Sequence, residues 1–306
     1  MNLPILWQRI DSVLFPAIPD QNRSVPLRQY FLLALIGGIV FSVIASFLPA
    51  TGVLGYDWVY YFSLGKRGHG LDYYPPWITY VRYLTWPGLI GITFTGLALA
   101  LYQRRASLLV MGLAFFSMPL WWVVFLGQID GLALFGLTNL PWFMPLVTIK
   151  PQVGYLACLA RKQYLVGLLV WLIISIGIWG LWPLDLLRIQ TYVAWQEPND
   201  ISLWPWSIPV VVALLWLSRG DMDMLMLAGT FVMPYLHPYH YLLVMPALAR
   251  IEKWVAVVAI VLSWLPLLAN WLGPAAWYSG HLFPMVLWVA LYLNRRKLLR
   301  AIQNHR

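Results

Sequence analysis

The sequence predicts an all-α fold, a multi-pass transmembrane helical bundle of about ten spans, and three observations lead there. Of 306 residues, 61% are hydrophobic and only 10% charged, where a soluble domain carries about 25% charged residues. The mean hydropathy is +0.71, and the apolar residues fall in repeated runs, several near the roughly 20 residues a helix needs to cross a bilayer. Trp and Tyr, 19 and 17 in number, gather near the ends of those runs, as interfacial aromatic belts do. Long Leu/Ile/Val/Trp runs without polar alternation argue against a membrane β-barrel.

The elements follow in order. Residues 1–27 read as a cytoplasmic interfacial segment whose Leu3, Ile5, Leu6, Ile10, Val13 and Leu14 form one apolar stripe. The first span covers Tyr30 to Pro49, and residues 51–85 form a long outer loop carrying short interfacial helices. The second span runs from Trp86 to Tyr102 and the third from Leu108 to Leu126, ending at Gly127-Gln128-Ile129-Asp130. Pro141 then splits two apolar segments. Gly131–Leu140 reads as a short or re-entrant helix and Trp142–Leu159 as the true span, because Arg161-Lys162 require an odd number of crossings. Tyr164–Trp182, Trp206–Leu217, Met222–Met233, Tyr241–Leu248, Trp254–Leu272 and Leu282–Leu293 complete the bundle, and residues 294–306 form a basic tail. No linker or soluble domain interrupts the chain, so residues 1–306 read as a single integral-membrane domain.

The formal net charge of +9 does not describe a nucleic-acid surface. Its basic residues punctuate the apolar runs, at Arg104-Arg105, Arg161-Lys162, Arg219, Arg250 with Lys253, and Arg295-Arg296-Lys297. That is the positive-inside pattern, and it places both termini in the cytoplasm of a cell-membrane protein. The single cysteine, Cys158, excludes an internal disulfide and a Cys-rich metal site.

On this orientation the polar chemistry collects at the outer face. Asp57, flanked by Tyr56, Trp58, Tyr60 and Tyr61, can be a general base toward a hydroxyl, since apolar surroundings make a carboxylate more basic. It can equally be a solvated loop acid or an N-cap. Lys66-Arg67-Gly68-His69-Gly70 and Arg82 offer cations to a phosphate or to anionic lipid headgroups. Tyr73-Tyr74-Pro75-Pro76-Trp77 can stack a sugar or anchor the chain at the interface. Gln128 and Asp130 sit at a helix break, where polar side chains line a cavity or cap the next helix. Lys150 lies inside an apolar run and therefore requires an anionic partner. His237 and His240 are three apart with no acid or cysteine near in sequence, which suits hydrogen bonding to a ligand better than zinc. Asp221-Met222-Asp223 matches the pattern of a nucleotide-sugar motif, but it follows Arg219 on the cytoplasmic side and reads as loop charge.

Taken in order, these pieces resemble the GT-C superfamily of polyprenyl-phosphate-dependent glycosyltransferases, in its bacterial mannosyltransferase-like branch (glycosyltransferase family 87-like). The resemblance rests on Asp57-Trp58-Val59-Tyr60-Tyr61, Tyr74-Pro75-Pro76, Gly127-Gln128, Lys150-Pro151-Gln152 and His237-Pro238-Tyr239-His240, and covers roughly residues 30 to 245. It implies a cell-envelope enzyme in which Asp57 is the catalytic base. Lys150, His237, His240 and Arg82 would hold the donor's lipid phosphate, and Gln128, Asp130, Tyr60, Tyr74 and His69 would shape the sugar and acceptor site. It implies no metal or other cofactor, membrane lipids and a polyprenyl-phosphate donor as partners, and a lipid or glycan acceptor. Two readings compete with it: a transporter or flippase of a lipid-linked or anionic substrate with Lys150 as the intramembrane charge, and a non-catalytic membrane subunit.

Overall fold

The computed structural model describes residues 25–67, 71–193, 199–218 and 220–304, and among them every regular element is helical. Helix α1 (Leu27–Ala45) is followed by three short helical segments within 51–85: a π-helical turn at Trp58–Phe62 and 3₁₀ helices at Leu71–Tyr73 and Pro76–Tyr83. Next come α2 (Trp86–Gln103), α3 (Leu108–Phe115), α4 (Met118–Leu126), α5 (Asp130–Leu137), α6 (Met144–Val147) and α7 (Pro151–Ala157). The second half holds α8 (Lys162–Trp179), α9 (Trp182–Val193), α10 (Ile208–Leu217) and α11 (Met222–Gly229). A 3₁₀ helix at Pro238–Arg250, α12 (Lys253–Ser263), α13 (Ala269–Leu272) and α14 (Leu282–Asn304) close the chain.

Three helical stretches, Arg28–Ala45, Lys162–Trp179 and Lys253–Leu272, are long and apolar enough to cross a membrane. The number rises to five if two bent pairs each count as one span: Pro76–Tyr83 with Trp86–Gln103, bent by 110°, and Leu108–Phe115 with Met118–Leu126, bent by 43°. Fewer helices qualify than the roughly ten crossings counted from hydropathy. The difference has a local cause: the chain breaks its apolar runs into short buried pieces. Trp142–Leu159, expected as one span, is divided into α6, α7 and a 3₁₀ turn at Cys158–Ala160. Pro145 and Pro151 each stand in the first turn of a new helix, where the missing N–H costs least. The expected third span is likewise split where Ser117 accepts from the Leu120 N–H and starts α4 anew.

Apolar side chains cover the outer faces of these candidate spans. Ile36, Ile39, Val43 and Ile44 of α1 are exposed, as are Val166, Leu169, Ile173 and Ile178 of α8, with Ile173 72% accessible. Continuous apolar faces of this kind are not tolerated by water-soluble monomers. The expected interfacial helix in residues 1–27 falls largely on residues 1–24, outside the described ones.

Small residues set a close contact between the first two long helices. Gly91 of α2 lies against α1, where a Cβ would come within 2.8 Å of the Gly38 carbonyl and 3.0 Å of the Ser42 nitrogen. Such approaches let dispersion hold helices together in a solvent as apolar as their side chains. The 3₁₀ helix Pro238–Arg250 sits at the centre of the bundle and is buried from Pro238 to Leu248. At about 2.0 Å per residue its 13 residues reach roughly 26 Å, close to the roughly 27 Å that the 18 residues of α2 cover at about 1.5 Å each. Two polar clusters sit at opposite ends of this pair. One is built around Asp57, Gln128 and Lys150. At the other, Arg104 Nη2 meets Asp223 at 2.7 Å and Arg250 Nη1 meets Asp221 and Asp223 at 2.7 and 2.9 Å. Asp221 and Asp223 are therefore buried ion-pair partners rather than the loop charge read from the sequence. They tie the end of α2, the start of α11 and the end of the central 3₁₀ helix together.

Replacing Gly91 by Leu should overpack the α1–α2 contact by about 1–3 kcal/mol and lower the melting temperature in detergent. Gly112→Leu, at a glycine with nothing within 4 Å of an added Cβ, should leave it nearly unchanged.

Candidate functional site

Helix α4 ends at Gly127, whose φ of +78° is the left-handed cap of a Schellman motif. Its N–H reaches the Val124 carbonyl at 3.2 Å, and the Gln128 N–H reaches the Val123 carbonyl at 2.9 Å. Glycine is required here twice over. A Cβ would also stand 2.8 Å from Trp58 Cβ and 3.0 Å from the Trp86 ring. The close approach brings the π turn Trp58–Phe62 against the end of α4, so that Gln128 Nε2 donates to Asp57 Oδ2. Asp57 is half-buried at the start of that turn, and π turns recur at functional sites because they widen and re-aim one helical turn.

Gln128 is in turn fixed from behind. Its Oε1 accepts from Tyr74 OH at 3.2 Å and from Lys150 Nζ at 3.0 Å. Burial pushes the Tyr74 phenol well above its usual range, so it remains protonated and donates. Arg67 holds the Tyr74 carbonyl at 2.9 Å and Asp72 at 3.2 Å, which explains the place of Tyr74 and engages the cation inside the loop.

Lys150 is 1% exposed and lies 3.3 Å from the fully buried Asp130. The anionic partner its sequence context requires is therefore supplied from within the chain. Its Nζ also meets His240 Nε2 at 3.3 Å and lies 4.9 and 5.1 Å from the ring centres of Tyr74 and Tyr239. His240 Nδ1 accepts the His237 N–H at 2.9 Å, so a neutral His240 carries its proton on Nε2, facing Lys150. Two donors then face each other unless Lys150 gives up a proton and accepts from Nε2 as a neutral amine. The contact couples the protonation of this pair, with Asp130 as the third member. His237 Nδ1 lies 3.0 Å from the Asn199 carbonyl, which can only accept, so that nitrogen bears the proton.

In front of this network opens a cavity of about 520 Å³, lined by Asp57, Gln128, His237 and a set of aromatic rings. Tyr56, Tyr60, Tyr61, Tyr73, Tyr74, Tyr235 and Tyr239 contribute to its walls, with Tyr73 stacked on Tyr235 at 6.4 Å. Size and composition suit a small polar ligand with hydroxyls and one apolar face.

The structure thus brings Asp57, Gln128, Tyr60, Tyr74 and His237 to one cavity, with Lys150, Asp130 and His240 packed behind its wall. Arg82 is not among them. It is exposed, and its guanidinium lies over the Tyr83 ring at 4.8 Å and bonds the Tyr83 hydroxyl at 2.8 Å. Its backbone belongs to the 3₁₀ helix Pro76–Tyr83, which makes a 110° angle with α2. His69 lies outside the described residues. Asn199, Tyr235 and Tyr239 were missed by sequence reasoning. Tyr239 stands inside the His237-Pro238-Tyr239-His240 stretch and Tyr235 two residues before it, so both were legible as its aromatic setting, whereas nothing local marks Asn199. Among the described residues no group of three or more His, Cys, Asp or Glu side chains is placed to hold a metal ion. Comparison with protein-family models, with curated proteins and with solved structures found no match to this chain.

Lys150→Met would leave the Asp130 carboxylate buried without its cation, a change that costs about 3–5 kcal/mol. Asp130→Asn in the same chain should recover much of that loss. Equal melting temperatures for Lys150→Met and the double variant would show that the two side chains are not coupled.

Proposed function

We propose that this chain is an integral-membrane glycosyltransferase of GT-C type, moving a hexose from a polyprenyl-phosphate donor to a lipid or glycan acceptor at the outer face. One observation carries the reading: a carboxylate, Asp57, stands in the wall of a 520 Å³ cavity rich in tyrosine and is oriented by an amide, Gln128, that a buried lysine holds in turn. Oriented bases of this kind, rather than free loop acids, perform proton abstraction. The tyrosine walls suit the apolar face of a hexose, and Tyr74 and Gln128 offer hydrogen bonds to its hydroxyls.

In the proposed reaction the acceptor hydroxyl gives its proton to Asp57, and its oxygen attacks the anomeric carbon from the face opposite the phosphate. The bond from that carbon to the phosphate oxygen breaks, and its electron pair leaves with the lipid phosphate, inverting the anomeric centre. His237, at the cavity wall, would donate from Nε2 to the phosphate oxygens in its imidazolium form, its Nδ1–H being held by the Asn199 carbonyl. Lys150 acts through Gln128 and through its field across the Tyr74 and Tyr239 rings, so its role is positioning and electrostatic rather than contact. Preorganised charge of this kind stabilises a developing anion most where water is excluded. His240 supports Lys150, and Arg82 has no part in this scheme.

A transporter reading draws on the buried Lys150–Asp130 pair, because intramembrane ion pairs mark translocation paths in many carriers.

Protein reconstituted in liposomes should transfer label from radiolabelled polyprenyl-phosphate mannose to a membrane-lipid acceptor extract. Asp57→Asn should reduce kcat by about 10²–10⁴-fold while donor binding persists. Equal transfer by both proteins removes Asp57 from the chemistry. No transfer from any polyprenyl-phosphate sugar, together with movement of the intact donor across the bilayer, replaces the enzyme by the transporter.

A further inference from the structure

At the end of the molecule away from Asp57, two cavities share the walls Glu252 and Asn294. One, of about 560 Å³, is polar and lined by Arg104, Arg105, Arg250 and Glu252. The other, of about 400 Å³, is an apolar groove between α12 and α14, lined by Trp254, Val255, Val286, Val289 and Leu293. We propose that together they form a binding site for one anionic glycerophospholipid, with the phosphate held at Arg105 and one acyl chain laid in the groove.

The charges of the polar cavity are unequally committed. Arg104 and Arg250 are pinned by Asp223 and Asp221. Glu252, the acid of the rim, accepts from Trp254 Nε1 at 2.6 Å and faces Lys297 at 3.8 Å. Arg105 is different. It is exposed, and among the described residues its guanidinium has neither a hydrogen-bond nor an ion-pair partner. Its φ of +59° is the single positive value at a non-glycine among the described residues. The cost of a left-handed backbone at a non-glycine residue persists where the surroundings impose it, and such residues concentrate at ligand sites. The bend turns the chain sharply between α2 and α3 and leaves the Arg105 side chain at the mouth of the polar cavity. An arginine fork matches two phosphate oxygens.

The groove identifies the rest of the ligand. It runs along α12, the first part of the stretch Lys253–Leu272 that is long and apolar enough to cross a membrane. Trp254, Val257 and Val261 of α12 and Met285, Val289 and Leu293 of α14 are exposed on the same face. Trp254 stands where polar cavity and groove meet, the usual level of an interfacial aromatic. Lys297 lines the groove, and Lys253 and Arg296, next in sequence to lining residues Glu252, Trp254 and Lys297, are exposed as well, a cationic balance that draws anionic headgroups. A headgroup alone would not need the groove, and a neutral lipid would not need the cations.

Native mass spectrometry of the full-length protein in detergent tests the site, with phosphatidylglycerol, phosphatidylcholine and diacylglycerol of identical chains and a polyprenyl phosphate as probes. Phosphatidylglycerol should be retained in preference to the other three. Arg105→Gly and the groove-filling Ala290→Trp should each weaken its retention at least tenfold. Arg188→Gln, which removes an exposed cation paired with Asp185 in α9, should not. Glycine suits the positive φ, so Arg105→Gly should melt no lower than the parent, separating lost charge from lost fold. Undiminished retention by Arg105→Gly overturns the proposal. So does equal retention of phosphatidylcholine or diacylglycerol, or a preference for the polyprenyl phosphate.

Discussion

The burial of one ammonium group organises half of this molecule. A lysine enclosed in an apolar bundle must find acceptors on every side, because an unpaired buried charge costs several kcal/mol or more. Lys150 finds Asp130 on one side and Gln128 on another, and it touches the His240 ring on a third. Each of these neighbours lies near the start or break of a different element: Asp130 opens α5, Gln128 follows the cap of α4, and His240 lies in the first turn of the central 3₁₀ helix. Satisfying the lysine therefore fixes three chain segments relative to one another. Asp57 is fixed last, through Gln128. The carboxylate facing the cavity inherits its orientation from a group that does not line the cavity.

Much of this was legible in the sequence, and the limits are instructive. The membrane class follows from composition, and the first two long helices begin and end near where apolar runs meet Pro26 and Arg104. The demand of Lys150 for an anion was readable from its apolar neighbours, yet the identity of that anion was not. Asp130 lies 20 positions earlier, across a proline-broken segment, and hydropathy carries no information about which buried groups meet. The same blindness makes Trp142–Leu159 read as one span, where the structure has three short helical pieces. An average over an apolar window cannot distinguish one crossing helix from three short ones packed in protein. Asp221 and Asp223 were discounted for a related reason. Local sequence shows them beside a basic residue at a helix start, while the partners that bury them, Arg104 and Arg250, come from elsewhere in the chain.

The two ends of the bundle use charge differently. Around Lys150 the charges are few, buried and mutually saturating, and they set geometry. Around Arg104 and Arg250 two arginines and two aspartates form a closed group that joins three elements, while further cations stand at the rim. Desolvated ion pairs give little net stability but penalise any arrangement that separates them. A cluster at each end thus guards the relative depth of the helices between them, a quantity that apolar packing alone would leave free to slide.

The central segment Pro238–Arg250 gives that guarding a measure of length. Runs of 3₁₀ helix beyond a few residues are uncommon, and Pro246 removes one donor from this one. As an α-helix its 13 residues would reach only about 20 Å, some 6 Å short of the roughly 26 Å they now span between Pro238 and Arg250. The stretched form is economy of chain, since matching it in α-helix would take about 17 residues. It also makes the segment a gauge. With both ends fastened, relaxing even part of it toward α geometry would draw His240 off Lys150 or Arg250 off its aspartates. The spacing between the two polar clusters is in this sense written into the pitch of one helix.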